Sequence, residues 1–338
     1  MKALVLHQPG NLKYETHWPV PDVPEGWVLV KMKYTGVCGS DLPRIMVTGA
    51  HRHPLICGHE LSGTIYRSKS SFLQPGQRVA VLPLIPCGKC EACQNHDFFH
   101  CQNYDFIGSR RDGGFAEFCL VPENNVFLLP DTASLEVGAF FEPLLVTLHV
   151  LRASRMKPGA RLLVIGAGAI GNLSAQWGKI LEAGKIFITD IRKESLDIAR
   201  KCGIDTLDSL NGEIEQQGPY DVVIEAAGSN TALELALRNV HNKGTVVVVG
   251  RETKDTIVSH SVFESFMRKE AELTGCWGYV FEGEEAFITR ILQENHLCVS
   301  SLITHRVTLE SGVETIQAMW DKSFFYCKVI FQGEDQAK

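Results

Sequence analysis

Two patterns of hydrophobic and polar positions divide the chain. From Met1 to about Glu142, short apolar runs alternate with polar residues between Gly and Pro, as in GWVLVKMKYTGV, GQRVAVLPL and GFAEFCLV. Such runs, separated by turn residues, predict all-β structure. We therefore expect a mostly-β domain over residues 1–143. The final segment, 295–338, contains a helix pattern at VETIQAMW and a strand pattern at CKVIFQ, and we expect it to pack back on that domain.

A different pattern covers residues 144–294. Near-continuous apolar runs, RLLVI, KIFIT, DVVIEAA and TVVVVG, alternate with segments such as NLSAQWGKILEA and NTALELALRNV. Continuous apolar runs are typical of strands buried on both faces of a parallel sheet, and apolar residues spaced by about 3.6 positions predict helices. The alternation predicts an α/β domain with a doubly wound parallel sheet.

Composition excludes several classes of function. The chain has 338 residues, 45% of them hydrophobic and 21% charged, and a net charge of −6. An acidic chain is a poor partner for nucleic acid, and no basic run predicts binding to a membrane surface. The first apolar run is too short for a signal peptide, and none reaches the roughly 18 residues of a transmembrane helix. Eleven cysteines, an odd number in a long chain, favour a reducing, cytoplasmic compartment over a disulfide scaffold.

The segment VIGAGAIG carries the pattern GxGxxG directly after the strand RLLVI and before a helix. In that context the glycines permit a tight turn and close approach of a pyrophosphate to the helix N-terminus. A carboxylate at the end of the next strand binds the adenosine ribose and favours NAD over NADP, although Arg192 nearby leaves NADP open. The alternative is a glycine turn in a fold without nucleotide. The predicted cofactor-binding residues are Gly166, Gly168, Ala169, Ile170, Gly171 and Asp190.

Four cysteines lie within the segment 86–102 with the spacing C-x2-C-x2-C-x7-C, at Cys87, Cys90, Cys93 and Cys101. Four thiolates so close together suit a closed tetrahedral zinc site. An iron–sulfur cluster is the alternative, but its usual run continues with x3-C-P. A zinc ion held by four thiolates has no open position for a substrate, so we expect a structural site.

Ligands for a catalytic metal would then be spread along the chain. The candidates are Cys38 in GVCGSD, His59 and Glu60 in CGHE, and Glu142 in FFEP. Three protein ligands and one open position define a catalytic zinc site. From spacing alone, however, a lone residue of this kind is more often an ordinary packed side chain than a ligand.

The segments GVCGSD, GHELSG, DGGFAEF, FFEPL, VIGAGAIG and LITHRVTLE, with the four-cysteine lobe, are distributed along essentially the whole length of the chain. Together they resemble the zinc-containing medium-chain dehydrogenases. The resemblance implies a GroES-like catalytic domain, a Rossmann domain, NAD, and two zinc ions per chain. It makes Cys38, His59 and Glu142 the catalytic zinc ligands, with Glu60 beside the metal as an alternative ligand. It also implies that Ser40 relays the substrate proton and that Asp41 orients the zinc-bound imidazole.

Within that family, CGSDLPRI and YDFIGSRRDGGFAE resemble the galactitol-1-phosphate 5-dehydrogenases and related polyol-phosphate dehydrogenases. This implies reversible oxidation of a secondary alcohol of a polyol phosphate, with Arg44, Arg110 and Arg111 near the substrate. Arginine pairs well with phosphate, but an Arg-Arg-Asp run is as often a solvated turn. A free polyol or an amino alcohol is the alternative substrate. By analogy with the family we expect a homodimer or homotetramer.

Overall fold

The structure, a computed structural model, describes residues 1–252 and 255–333. It divides into two compact units. The first comprises Met1–Glu142, Glu282–Asn295 and Ile303–Lys338, and the second comprises Pro143–Phe281 and His296–Leu302. The domain ranges predicted from sequence are 1–143, 144–294 and 295–338. They differ from the two compact units between residues 282 and 302, and they remain a prediction.

Eighteen strands are present in the described residues: β1 (Ala3–Gln8), β2 (Asn11–Glu15), β3 (Trp27–Gly36), β4 (Leu55–Ile56), β5 (Glu60–Ser68), β6 (Arg78–Val81), β7 (Leu84–Ile85), β8 (Asp105–Phe106), β9 (Phe118–Pro122), β10 (Val126–Leu128), β11 (Arg161–Ile165), β12 (Lys185–Asp190), β13 (Asp205–Asp208), β14 (Tyr220–Glu225), β15 (Val240–Val248), β16 (Glu272–Gly275), β17 (Ile303–Val307) and β18 (Lys328–Gln332).

The α-helices of the same residues are α1 (Asp41–Pro43), α2 (Glu91–Gln94), α3 (Leu135–Ala139), α4 (Phe141–Ala153), α5 (Ala169–Ile180), α6 (Lys193–Lys201), α7 (Glu213–Gln217), α8 (Asn230–Asn239), α9 (His260–Arg268), α10 (Glu285–Glu294) and α11 (Gly312–Trp320). A π-helical turn covers Arg44–Thr48, and short 3-10 turns cover Phe98–His100, Glu123–Asn125 and Ser300–Leu302.

The first unit is built on a seven-stranded sheet in the order β10-β6-β5-β3-β18-β17, with β9 also pairing with β3. Its register brings distant parts of the chain together. Gly36 at the end of β3 lies opposite Glu60 on one side and Ile330 on the other. The residues that follow β3, the start of β5 and the start of β18 therefore meet at one place in this sheet.

Close backbone packing fixes the segment just before β5. A Cβ atom on Gly113 would lie 2.1 Å from the carbonyl oxygen of Gly58, and one on Gly108 would lie 2.4 Å from that same oxygen. Gly58 has φ +93° and faces the ring of Phe115, so a side chain there would also be strained. Because all three positions lack a side chain, the segment 105–115 lies directly against the residue that precedes His59.

The second unit contains a six-stranded parallel sheet in the order β13-β12-β11-β14-β15-β16. This is the strand order of a doubly wound dinucleotide-binding fold. Strands β11 and β14 are buried almost throughout, as their continuous apolar sequences require. The predicted fold class, a mostly-β unit with a doubly wound parallel-sheet unit, is confirmed.

Strand β16 forms one edge of this sheet, and its Leu273 is 50% exposed. An exposed apolar edge strand is a surface on which a second chain can add strands. The expected homodimer or homotetramer stays a prediction, which the mass of the protein in solution would test. Among the described residues, no helix is both long enough and apolar enough to cross a membrane.

Candidate active site

The four clustered cysteines converge as the spacing predicts. Their sulfur atoms all lie within 4.8 Å of one another. Cys93 Sγ is 3.5 Å from Cys90 Sγ and 3.9 Å from Cys87 Sγ. A tetrahedral site with Zn–S bonds of 2.3 Å has sulfur atoms about 3.8 Å apart, so the spacing fits zinc without rearrangement.

The surroundings of these thiols favour a bound cation. The backbone N–H groups of Cys93 and Gln102 lower the pKa of Cys90 to about 6. Backbone N–H groups of Lys89 and Cys90 likewise lower the pKa of Cys87. By contrast, burial and the neighbouring thiols raise the pKa of Cys93 to about 12. Four thiolates this close together repel one another, and a bound metal ion would supply the compensating charge.

A second cluster joins Cys38, His59 and Glu60, whose ligand atoms lie within 4.8 Å of one another. Cys38 follows strand β3, and the other two lie at the beginning of β5, which pairs with it. His59 and Glu60 are buried, whereas Cys38 is partly exposed. A thiol, an imidazole and a carboxylate with access to solvent on one side have the composition of a catalytic zinc site.

Asp41 connects this cluster to its surroundings. Its Oδ1 atom lies 3.3 Å from His59 Nδ1 and 2.9 Å from an amine of Arg44, and its Oδ2 atom accepts the N–H of Cys38. Burial alone would raise the pKa of Asp41, but the nearby His59 and Arg44 and these contacts lower it overall. Burial likewise opposes a charge on His59, yet Asp41 raises the pKa of His59 well above its usual value. Asp41 is therefore a charged partner of the imidazole.

Glu60 has a partner that the sequence did not reveal. Both of its carboxylate oxygens accept hydrogen bonds from Lys328 Nζ, at 2.8 and 2.7 Å, and both side chains are almost completely buried. Burial opposes the charge on the lysine, but Glu60 more than offsets it and the pKa of Lys328 is raised. The only signal in the sequence is a charged residue at the start of the apolar strand CKVIFQ.

Glu142 lies outside the compact group of three. Burial and, to a smaller extent, Glu60 raise the pKa of Glu142 to about 7, although the nearby His59 and Lys328 oppose this shift. A carboxyl group near its midpoint at neutral pH can bind a metal ion after losing one proton at little cost. The structure therefore brings Cys38, His59 and Glu60 together, with Glu142 in the same electrostatic environment.

The three arginines predicted to face the substrate differ in their contacts. Arg111 donates to Asp105 through Nε and a terminal amine, both at 2.8 Å, and its guanidinium lies over the ring of Trp27. Arg110 instead lies over the ring of Tyr104, at 4.2 Å from the centroid. Arg44 pairs with Asp41. Adjacent arginines in one turn thus have unlike surroundings.

In the second unit, the glycine turn adopts the predicted geometry. Gly166 has φ +103°, which favours glycine. A Cβ on Gly171 would lie 1.8 Å from the carbonyl oxygen of Gly166, whereas one on Gly168 would meet nothing within 4 Å. Gly168 immediately precedes α5, which begins with Ala169 and Ile170. The open side of Gly168 leaves the helix N-terminus accessible to an anion.

Asp190, at the end of β12, accepts the N–H groups of Ala167 at 2.7 Å and Arg192 at 2.8 Å. Beside it is a cavity of about 370 Å³. Ile191 and Leu210, which the sequence did not single out, line this cavity and are 83% and 84% exposed. Exposed apolar side chains on either side of a carboxylate can accommodate a flat base next to a ribose. Arg192 is exposed and contacts Asp190 through its backbone only.

Comparison with known proteins agrees with this arrangement. Residues 24–131 match the family model of the alcohol dehydrogenase GroES-like domain, and residues 169–293 match that of the zinc-binding dehydrogenases. The chain belongs to the zinc-binding alcohol dehydrogenase family. Its members are oxidoreductases acting on CH–OH groups, as this chain is.

Several relatives cover nearly the whole chain. Galactitol 1-phosphate 5-dehydrogenase of Escherichia coli is 36% identical, over 94% of this chain and 96% of that protein. Sorbitol dehydrogenase of Bacillus subtilis is 31% identical, over 94% of this chain and 93% of that protein. The crystal structure of galactitol-1-phosphate dehydrogenase from Escherichia coli superimposes with a TM-score of 0.90 at 32% identity, covering 98% of this chain and 100% of that one.

We expect two glycine substitutions to separate folding from cofactor binding. Gly171→Ala forces a methyl group against the Gly166 carbonyl and should destabilise the protein by about 2 kcal/mol or more. Gly168→Ala meets no protein atom and has ordinary dihedral angles, so stability should change by less than about 0.5 kcal/mol while binding of NAD weakens. Calorimetric melting measures the stability of each variant, and titration with NAD measures its cofactor binding. Equal effects of the two variants on melting would contradict this interpretation.

Lys328→Met should leave the carboxylate of Glu60 buried without a counter-charge. Removing one partner of a buried ion pair costs about 3–5 kcal/mol, whereas removing both charges is often neutral. The melting temperature of Lys328→Met should therefore fall strongly, and that of the double variant with Glu60→Gln should recover most of the loss. Additive losses in the double variant would show that the two groups are not coupled.

Proposed function

We propose that this chain transfers a hydride between NAD and a secondary alcohol of a polyol phosphate, galactitol 1-phosphate or a similar compound, in a reversible alcohol-to-ketone reaction. The cluster of Cys38, His59 and Glu60, with Asp41 on the imidazole, is the observation that supports the chemistry. The similarity to galactitol 1-phosphate 5-dehydrogenase supports the substrate class.

The proposal includes two zinc ions per chain. Cys87, Cys90, Cys93 and Cys101 would hold the structural ion. Cys38 and His59 would hold the catalytic ion, together with Glu142 as the resemblance implies, or Glu60 in its place. A catalytic zinc ion, when bound, acts as a Lewis acid toward an alcohol oxygen. His59 presents Nδ1 to Asp41, which leaves Nε2 as the ligand atom, an orientation typical of metal-bound histidine.

The residues around the metal cluster have separate tasks in this proposal. Ser40 Oγ donates to Cys38 Sγ at 3.4 Å, so its hydroxyl lies beside a metal ligand. Ser40 is partly exposed and can therefore pass the substrate proton toward solvent. Asp41 orients the imidazole, and the Lys328 ammonium stabilises the charged form of Glu60.

We propose NAD as the cofactor because Asp190 offers a carboxylate where a 2'-phosphate would have to lie. The exposed Arg192 side chain, which has no ion pair with a described residue, is the feature that would favour NADP. Comparing activity with the two cofactors distinguishes them, and a preference for NADP would overturn this part of the proposal.

Metal analysis tests the two sites separately. The purified protein should contain two zinc ions per chain. Cys93→Ser should retain about one and melt at a lower temperature, because the four-cysteine lobe loses the ion that holds its segments together. Cys38→Ser should also retain about one but lose activity with little change in melting. If the four cysteines bind iron instead of zinc and the protein absorbs visible light, the site would be an iron–sulfur cluster.

The substrate class is tested by NADH formation with paired polyol phosphates and free polyols, galactitol 1-phosphate with galactitol and sorbitol 6-phosphate with sorbitol. We expect kcat/KM to be at least about tenfold higher for the phosphorylated member of a pair, since an arginine–phosphate contact contributes about 1.5–3 kcal/mol.

A free polyol is the second candidate, because sorbitol dehydrogenase of Bacillus subtilis covers the chain almost as completely. Equal or greater kcat/KM on the free polyols would favour it and overturn the phosphate assignment, leaving the dehydrogenase chemistry in place.

A further inference from the structure

The two adjacent arginines in the turn between β8 and β9 differ in whether a carboxylate pairs with them. The Arg111 guanidinium donates to the carboxylate of Asp105 through Nε and one terminal amine, and it packs over the ring of Trp27. Its removal would cost packing and an ion pair, both of which are structural contributions. Arg111 therefore stabilises the turn.

Arg110 has no ion-pair partner and no side-chain hydrogen bond among residues 1–252 and 255–333, and its Nε atom is buried without an acceptor. Tyr104 lies against its face, which orients the planar group but supplies no negative charge. A buried N–H donor without an acceptor is uncommon in folded proteins and requires an explanation. The terminal amines of the same guanidinium also lack an acceptor among the described residues but are not buried, so a bound anion would pair with them and supply the missing charge.

His51 lies beside this arginine. Its peptide N–H donates to the carbonyl of Ser109 at 3.4 Å, so the loop that carries His51 is hydrogen-bonded to the residue preceding Arg110. Burial and the positive charges of Arg110 and Arg44 lower the pKa of the imidazole. The His51 imidazole is thus near enough to Arg110 and Arg44 for both charges to act on it, and its loop is hydrogen-bonded to the turn that carries Arg110.

These groups are connected to the metal cluster by direct contacts. Arg44 shares Asp41 with His59. The ring of His59 contacts Phe106, with centroids 5.7 Å apart, and Phe106 contacts Tyr104 at 6.5 Å. Arg110 packs over the ring of Tyr104. A chain of side-chain contacts therefore connects Arg110 with the metal cluster.

We propose that Arg110, His51 and Arg44 form a phosphate subsite and that Arg111 takes no part in it. The inference rests on the proposed function, which it deepens by assigning the residues that bind the phosphate. Arg110 would pair with the phosphate oxygens, and the neutral imidazole of His51 would donate one further hydrogen bond.

The first arm of the test uses the ratio of kcat/KM for galactitol 1-phosphate to that for galactitol. Arg110→Met keeps the packing on Tyr104 but loses the charge, and it should lower this ratio at least about tenfold, mainly through KM for the phosphate. His51→Ala should lower it several-fold, and His51→Gln, which keeps a donor, should recover part of the loss. The matched control Arg111→Met should lower the melting temperature and leave the ratio within about twofold.

The second arm uses inorganic phosphate as the probe, titrated calorimetrically into the zinc-loaded protein with saturating NAD. Phosphate binding that is lost in Arg110→Met and kept in Arg111→Met supports the subsite. A wild-type protein with no preference for phosphorylated polyols would overturn the proposed function, but this binding result would still support the subsite. If Arg111→Met lowers the ratio or the binding as much as Arg110→Met does, or if neither changes either quantity, the subsite is overturned.

Discussion

The first unit depends on ionisable groups that are buried together and must compensate one another. Lys328 and Glu60 form an ion pair with almost no access to water, and Asp41 is completely buried between His59 and Arg44. Removing a charge from water costs several kcal/mol, and only a well-placed opposite charge offsets that cost. The partners come from the residues after β3 and from the beginnings of β5 and β18, so the sheet register and the charge pairing require each other.

Close backbone contacts also position the groups of this region. Gly58, Gly108 and Gly113 allow the segment 105–115 to lie against the chain just before His59. Phe106 then contacts the imidazole, and the turn that follows presents its arginines. A side chain at any of these glycines would move the aromatic ring and the turn together. Orientation of the metal ligand and orientation of the anion-binding groups are therefore consequences of one packing arrangement.

The sequence predicted those features that depend on local spacing. Strand and helix alternation, the glycine turn and the four-cysteine lobe each lie within a short segment, and their geometry follows from that segment. The ion pair of Glu60 with Lys328 joins residues 268 positions apart, and no periodicity identifies such a partner. For the same reason the sequence could not distinguish Arg110 from Arg111. Their chemistry is identical, and only the placement of Asp105, Trp27 and Tyr104 separates them.

An unpaired guanidinium would be a defect in a turn whose only function was structural. Asp105 lies within reach of this turn and pairs with Arg111, which shows that the local fold can neutralise an arginine. Arg110 instead has an aromatic face, a buried donor and a second cation, Arg44, near the same histidine. Arg44 is paired with Asp41, so the charge that remains uncompensated here is that of Arg110. The proposed phosphate subsite would explain this arrangement, because a bound phosphate would supply the missing charge.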